Sequence, residues 1–202
     1  MRTKLTAMLS FDEQGLRNAL SKEPPQRQLA FALAICGRLI PYYVEYCRLA
    51  NLSPDPRPQQ YLTYLWRIAL GMESAEPRHL LEAKESNLLA IMPGEDDPWN
   101  ERHPQAEDAM AALAYSIRNL MVGNPQDAVF AARRCYESAD QFAIHDLNCD
   151  FSDPESERKL LMHEVVQREL ARQDRDLRLA SAGKLAELKA LSESEALLAA
   201  ML

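Results

Sequence analysis

The chain is poor in the features that mark β-sheets, membrane spans and secretion. It has only six glycines in 202 residues, and few β-branched residues, which disfavours a strand-rich fold. The longest apolar run, residues 29–44, is interrupted by Arg38 and Pro41 and is too short for a membrane span. The opening MRTKLTAMLSFDEQ lacks the apolar core of a signal peptide. We therefore expect a cytoplasmic protein with no membrane segment.

A basic surface is also missing. The chain has 30 acidic against 23 basic side chains and a formal net charge of -7. Its densest central basic pair, Arg133 and Arg134, is followed by Glu137. Such a chain repels a phosphate backbone on average. The composition therefore disfavours nucleic-acid binding.

Cysteine pairs and nucleophile motifs are absent as well. The four cysteines, at positions 36, 47, 135 and 149, form no C-x-x-C pair. On one straight helix Cys36 and Cys47 would lie roughly 16 Å apart, too far for a disulfide. There is no G-x-S-x-G and no glycine-rich phosphate loop. We therefore expect reduced thiols and assign no catalytic residue, metal ligand or cofactor.

What the sequence contains instead is a series of helix signals. Apolar residues recur at helical spacing, as in Met110, Leu113, Ile117 and Met121. Prolines, glycines and capping residues separate these segments; Gly123 is expected to end one helix and Asn124-Pro125 to start the next. The pattern predicts an all-α fold, with about seven or eight helices in a single-domain bundle over residues 1–202.

Three parts of this domain can be distinguished. Residues 1–23 are predicted to hold an N-terminal helix, opened by a capping box that begins at Ser10. Residues 26–182 form the core, and residues 184–202 form a helical tail whose last helix opens at Ser192. The segment from residue 26 to 50 is apolar on nearly every side, which is typical of a central helix. Pro41 is expected to kink or split it.

Two stretches resemble a known bacterial family. One is the helix FALAICGRLIPYYVEYC, with Cys36, Arg38 and the Ile-Pro pair at 40 and 41. The other is IMPGEDDPWNERHPQAEDAMAALAYSI, and RELARQDRD gives a weaker third match. Together these stretches resemble the YjaG-like family, catalogued as domain of unknown function 416, over residues 26–180. The resemblance implies an all-helical bacterial domain and no activity.

The stretch HDLNCDFSDPESERKLLMHE, residues 145–164, raises the question of a metal site. His163 opens a pattern close to the zinc motif H-E-x-x-H, but Gln167 stands where the second histidine belongs. His145 and His163 could still meet across the intervening loop. Helix capping around Asp153 accounts for much of the polar composition. We therefore interpret the stretch as a loop and the start of a final long helix, which is expected to run from near Ser152 to Ala182.

Residues 92–104 form the longest irregular segment and are the first candidate surface. Asp96, Trp99 and His103 lie together there, giving carboxylates, an aromatic ring and a titratable group. The alternative interpretation is that Trp99 folds back onto the core and the acids remain solvated.

A second candidate surface lies on the central helix. Arg38, Tyr42 and Glu45 share one helix face if the kink is mild, and tyrosines beside an arginine could line a small anion pocket. The alternative is a buried Arg38–Glu45 ion pair.

The C-terminal part suggests contacts with other chains. The segment ARQDRD, residues 171–176, is polar all round and is predicted to leave the domain surface. The leucine-rich tail beyond it packs on another copy, on another protein, or back on its own domain. We therefore expect a non-enzymatic protein that acts through protein contacts or as a homodimer. The alternative is a small-ligand-binding protein or enzyme that uses residues 92–104 and the Arg38 and tyrosine face.

Overall fold

A computed structural model describes residues 8–94, 104–149 and 154–196. Within these ranges the chain forms α-helices and no strand, which confirms the all-α prediction. The helices are α1 Glu13–Leu20, α2 Pro25–Leu49, α3 Arg57–Ala69, α4 Arg78–Ile91, α5 Gln105–Val122, α6 Pro125–Leu147, α7 Ser156–Met162, α8 Glu164–Ser181 and α9 Leu185–Ser194. The described helices exceed the expected count by one, because the predicted final long helix is two helices that meet at His163.

Helix α2 is the centre of the bundle. It contacts α3, α5, α6, α8 and α9, and its buried side chains include Leu33, Ile35 and Leu39. Burial on all sides explains why this helix is apolar all round. The helix is not split, because Pro41 lies inside a continuous α2. Since proline has no N–H, the Gly37 carbonyl loses its usual donor four residues later.

Several helix ends follow from local sequence. Gly123 takes a left-handed conformation at the end of α5, as predicted, and the Asn124 side chain caps the Gln126 N–H at the start of α6. At the start of α1 the prediction was wrong in detail. Asp12, rather than Ser10, is the cap, and it accepts a hydrogen bond from the Gly15 N–H.

The helix of the C-terminal tail begins earlier than expected. Helix α9 opens at Leu185, and Ser192 lies in its last turn instead of at a helix start. Residues 197–202, the first seven residues and Asp153, for which a capping role was predicted, lie outside the described ranges. In the part of the chain that the structure describes, no helix has both the length and the apolarity to cross a membrane.

Candidate functional site

Arg38 lies in the interior instead of on a surface. Its side chain is 0% exposed, and its Nε and Nη2 donate to the two carboxylate oxygens of Glu169 at 3.1 and 2.9 Å. Its Nη1 donates to Asp176 Oδ2. Both carboxylates come from α8, so this ion triad joins α8 to the central helix. Buried arginine is satisfied best by such paired, planar contacts.

The expected Arg38 surface is therefore wrong. With all its nitrogens bonded to buried carboxylates, Arg38 lines no accessible anion pocket. The alternative Arg38–Glu45 pair is also wrong, because Glu45 accepts hydrogen bonds from Arg48. Tyr42 is buried on the same helix. Helical spacing within α2 suggested that Arg38 pairs with Glu45, whereas its partners lie on α8, which is distant in sequence.

The ion triad extends into a wider polar network. Gln173 Nε2 donates to Glu169 Oε1 at 2.9 Å and to the Ala132 carbonyl at 3.1 Å, which ties in α6. Cys135 lies beside Glu169 and Arg38, and burial raises the pKa of its thiol well above the usual value. Burial lowers the pKa of Arg38, but Glu169 and Asp176 more than reverse this and raise it overall. The network therefore holds a charged arginine and an unreactive thiol.

The burial of this network corrects the prediction for residues 171–176. Gln173 and Asp176 are buried, so α8 does not leave the surface there. Glu169, Gln173 and Asp176 have i, i+4 and i+7 spacing and continue the apolar stripe of the helix. This spacing could have indicated that the three residues are buried. Because they are polar, the sequence pattern was interpreted as an exposed turn instead.

Residues 95–103 are not among those that the structure describes. Asp96, Trp99 and His103 consequently lie outside the described residues, and their grouping with one another stays a prediction.

His163 lies between α7 and α8 and caps the start of α8. Its Nδ1 accepts a hydrogen bond from the Val165 N–H at 3.3 Å, and its Nε2 lies 3.1 Å from Asp146 Oδ2. These contacts fit the neutral ring with its proton on Nε2, which donates to Asp146. Among the described residues, no three His, Cys, Asp or Glu side chains are grouped to hold a metal ion.

Gln167 clamps the N-terminal segment. Its Oε1 accepts from the Leu9 N–H at 3.0 Å, and its Nε2 donates to the Leu9 carbonyl at 2.8 Å. The same Nε2 donates to the Leu161 carbonyl at 2.7 Å. The amide that occupies the second histidine position of the zinc pattern is thus fully used in holding the chain.

Asp108 is a further buried acid outside the ion triad, which sequence reasoning did not single out as a site. Ser138 Oγ donates to its Oδ2 at 2.6 Å, and Arg134 Nη1 lies 3.3 Å from its Oδ1. Burial raises the pKa of Asp108 to about 6, against the lowering effects of Ser138 and Arg134. The carboxyl joins the start of α5 to the middle of α6.

Helix α9 docks on its own domain, which is one of the three arrangements expected for the tail. Leu188 and Ser192 are buried against α2 and α8. A Cβ added to Gly37 would lie 3.0 Å from Ser192 Oγ and 3.1 Å from the Ser192 carbonyl, so α9 crosses α2 where the side chain is absent. Beyond α9, Arg175 binds both carboxylate oxygens of Glu195 at 2.9 and 2.8 Å.

A surface groove separates α2 from α3 and has a volume of about 450 Å³. Val44, 48% exposed, lines it. Its other lining residues are Gly37, Ile40, Pro41, Gln59, Leu62 and Glu193. This α2–α3 groove has mostly apolar walls, and α9 supplies part of its rim through Glu193.

Comparisons with known proteins agree on one family. The family model described as "Protein of unknown function (DUF416)" matches residues 16–195. A crystal structure of a DUF416 family protein from Shewanella baltica OS155 resembles the chain with a TM-score of 0.74 and 17% sequence identity, over 89% of this chain and 93% of that one. This second likeness shows a common fold. No curated protein matches the chain. Since the family model spans most of its residues, the chain belongs to the DUF416 family of proteins of unknown function.

Proposed function

We propose that the protein acts in the bacterial cytoplasm through contacts with other protein chains, the first of them a second copy of itself. The observation that carries this proposal is the apolar α2–α3 groove, which leaves Val44 exposed beside Pro41. An apolar concavity on a helical surface is typical of a site for a partner helix or loop.

The use of the charged residues supports a non-enzymatic role. Arg38, Glu169 and Asp176 are all buried, and both carboxylates are bonded to Arg38. A ligand would have to break a buried ion triad to reach them, which costs several kcal/mol. In the alternative hypothesis of a small-ligand site on the Arg38 face, Arg38 is therefore not accessible to the ligand.

The cytoplasmic part of the proposal is supported by the thiols. Cys36, Cys47 and Cys135 are buried and Cys149 is half-buried, and none forms a disulfide. Burial raises the pKa of Cys36 to about 12. Reduced, packed cysteines of this kind are typical of proteins in a reducing compartment.

Light scattering of the full chain over a wide concentration range tests the proposal. We expect a mass above that of the monomer, rising with concentration, and a lower mass after Val44→Lys, because a charge in the groove must be desolvated on contact. Leu89→Lys is the matched control, because Leu89 is 52% exposed on α4 and does not line the groove.

Equal effects of Val44→Lys and Leu89→Lys would remove the groove from the proposal. A monomeric mass at every concentration would contradict self-association itself.

A further inference from the structure

Helix α9 lies against α2 and α8 as a bound peptide would lie in a groove. This α9 groove is distinct from the α2–α3 groove. Its anchors Leu188 and Ser192, at i and i+4, contact α2 and α8, and Glu195, directly after the helix, binds Arg175 of α8. This is the spacing by which an amphipathic helix fills a groove on another protein. Gly37 forms the floor of the groove, where Ser192 approaches most closely, and Arg175 closes its end on Glu195. The groove therefore recognises a defined helix with a small residue at its middle anchor.

Two non-helical residues, Gly183 and Lys184, turn α9 back onto this groove. Helix α8 ends at Ser181 and α9 begins at Leu185, and Gly183 between them has a φ of +72°. Arg27 Nη1 donates to the Ser181 carbonyl at 2.7 Å and supports the turn. If Gly183 and Lys184 took helical dihedrals, α8 and α9 would become one helix, and α9 would point away from its own domain.

If α9 left its groove, the charged residues beneath it would be exposed to solvent. Arg38 binds Asp176 Oδ2, and Asp176 Oδ1 accepts from Arg175, which in turn binds Glu195. Removing α9 would open this chain of charges to solvent at one end and uncover the floor at Gly37. The groove consequently requires an α9 helix, whether from the same chain or from another.

We propose that two copies of the protein exchange α9, so that each groove holds the α9 helix of the other copy. The exchange reuses every contact of the closed monomer, because the partner supplies the residues equivalent to Leu188, Ser192 and Glu195. The connection has only three residues, and a change in its backbone dihedrals is enough to free α9 for such an exchange. The inference rests on the self-association proposed above and assigns it to a named element.

Substitution of the hinge glycine tests the exchange. Gly183→Ala penalises the left-handed turn and favours a continuous helix, so we expect the dimer to gain by about tenfold in the association constant. Gly183→Asn should give a smaller gain, because asparagine tolerates the left-handed conformation. Gly123→Ala is the matched control, since Gly123 has a φ of +68° at the end of α5, away from the hinge. Light scattering measures all three.

Charge complementation gives a second readout that does not depend on the hinge. In a copy with Arg175→Glu, and equally in a copy with Glu195→Arg, positions 175 and 195 carry like charges when α9 docks on its own chain. Exchange between the two copies restores an opposite pair at both grooves. We expect the refolded mixture to form heterodimers, detected by native mass spectrometry, in excess of either homodimer.

Two outcomes would overturn the exchange. One is a Gly183→Ala protein with the same mass as Gly123→Ala at every concentration. The other is a mixture of the charge variants with no excess of heterodimer. If the wild-type chain nevertheless self-associates and responds to Val44→Lys, the proposed function stands and only the exchange fails. A wild-type chain and a Gly183→Ala variant that are both monomeric at every concentration would overturn both.

Discussion

The strongest constraint on a single side chain is at Arg38, whose charge is held in the interior by two carboxylates. Moving three charged groups out of water is costly, and their attraction only roughly offsets the cost. Such a triad contributes little net free energy while it is complete. Its importance appears when one member is removed, because the remaining charges stay buried without a partner.

Arg38→Met should therefore reduce the free energy of unfolding by about 3–5 kcal/mol, since it leaves Glu169 and Asp176 buried without their cation. Urea denaturation monitored by circular dichroism measures the change. Arg48→Met is the control, because Arg48 pairs with Glu45 at the surface, and we expect it to leave the midpoint almost unchanged. Similar midpoints for the two variants would contradict a structural role for the triad.

The Asp108 carboxyl predicts a pH dependence with a definite sign. Burial raises its pKa from 3.8 to about 6 in the folded chain. Between these values the folded state binds more protons than the unfolded state, so this group contributes stability at low pH that is lost as pH rises through about 6. The loss is about 3 kcal/mol at most. Asp108→Asn should remove that part of the slope of unfolding free energy against pH.

Denaturation midpoints measured between about pH 4 and pH 7 provide the comparison. Asp174→Asn serves as the control, since Asp174 is an exposed carboxylate paired with Arg178. A wild-type slope in the Asp108→Asn protein would show that the carboxyl is not the titrating group.

Among the elements, α9 depends most on a single position of another helix. Gly37→Ala places a methyl group within 3.1 Å of the Ser192 carbonyl, and a backbone atom cannot move aside as a flexible side chain can. We expect a loss of about 1–3 kcal/mol in stability. We also expect faster amide exchange in residues 185–194, because α9 must move away from α2. Hydrogen-exchange mass spectrometry reports on both α9 and the rest of the chain.

Gly94→Ala is the control for this change, because an added Cβ there meets nothing within 4 Å. Unchanged exchange in residues 185–194 of the Gly37→Ala protein would show that α9 does not depend on the close approach.

For the molecule as a whole, the sequence predicted the class of fold and most helix ends. Helical burial repeats every three or four residues, so a local window suffices to detect it, and Gly123 and Asn124 marked a helix end and a helix start correctly. The contacts of Arg38 were beyond such reasoning. Its partners Glu169 and Asp176 follow it by 131 and 138 residues, and only the packing of α8 on α2 brings them together.

The boundary between α7 and α8 was missed for a related reason. His163 has a ψ of 137°, and its ring nitrogen replaces the helical partner of the Val165 N–H. From the sequence alone, a histidine that ends one helix and caps the next cannot be distinguished from a histidine inside a continuous helix. The merged helix of residues 152–182 was the result.

This placement of His163 also limits how a zinc protease could evolve from the chain. A Gln167→His substitution would complete the consensus spelling of the motif, yet catalytic zinc needs both imidazoles on successive turns of one helix. Here the first imidazole precedes the helix and already faces Asp146, while the second would have to abandon the Leu9 backbone. A search for the short motif would identify such a mutant as a metallopeptidase, although its first imidazole lies outside the helix and its second position is needed to hold Leu9.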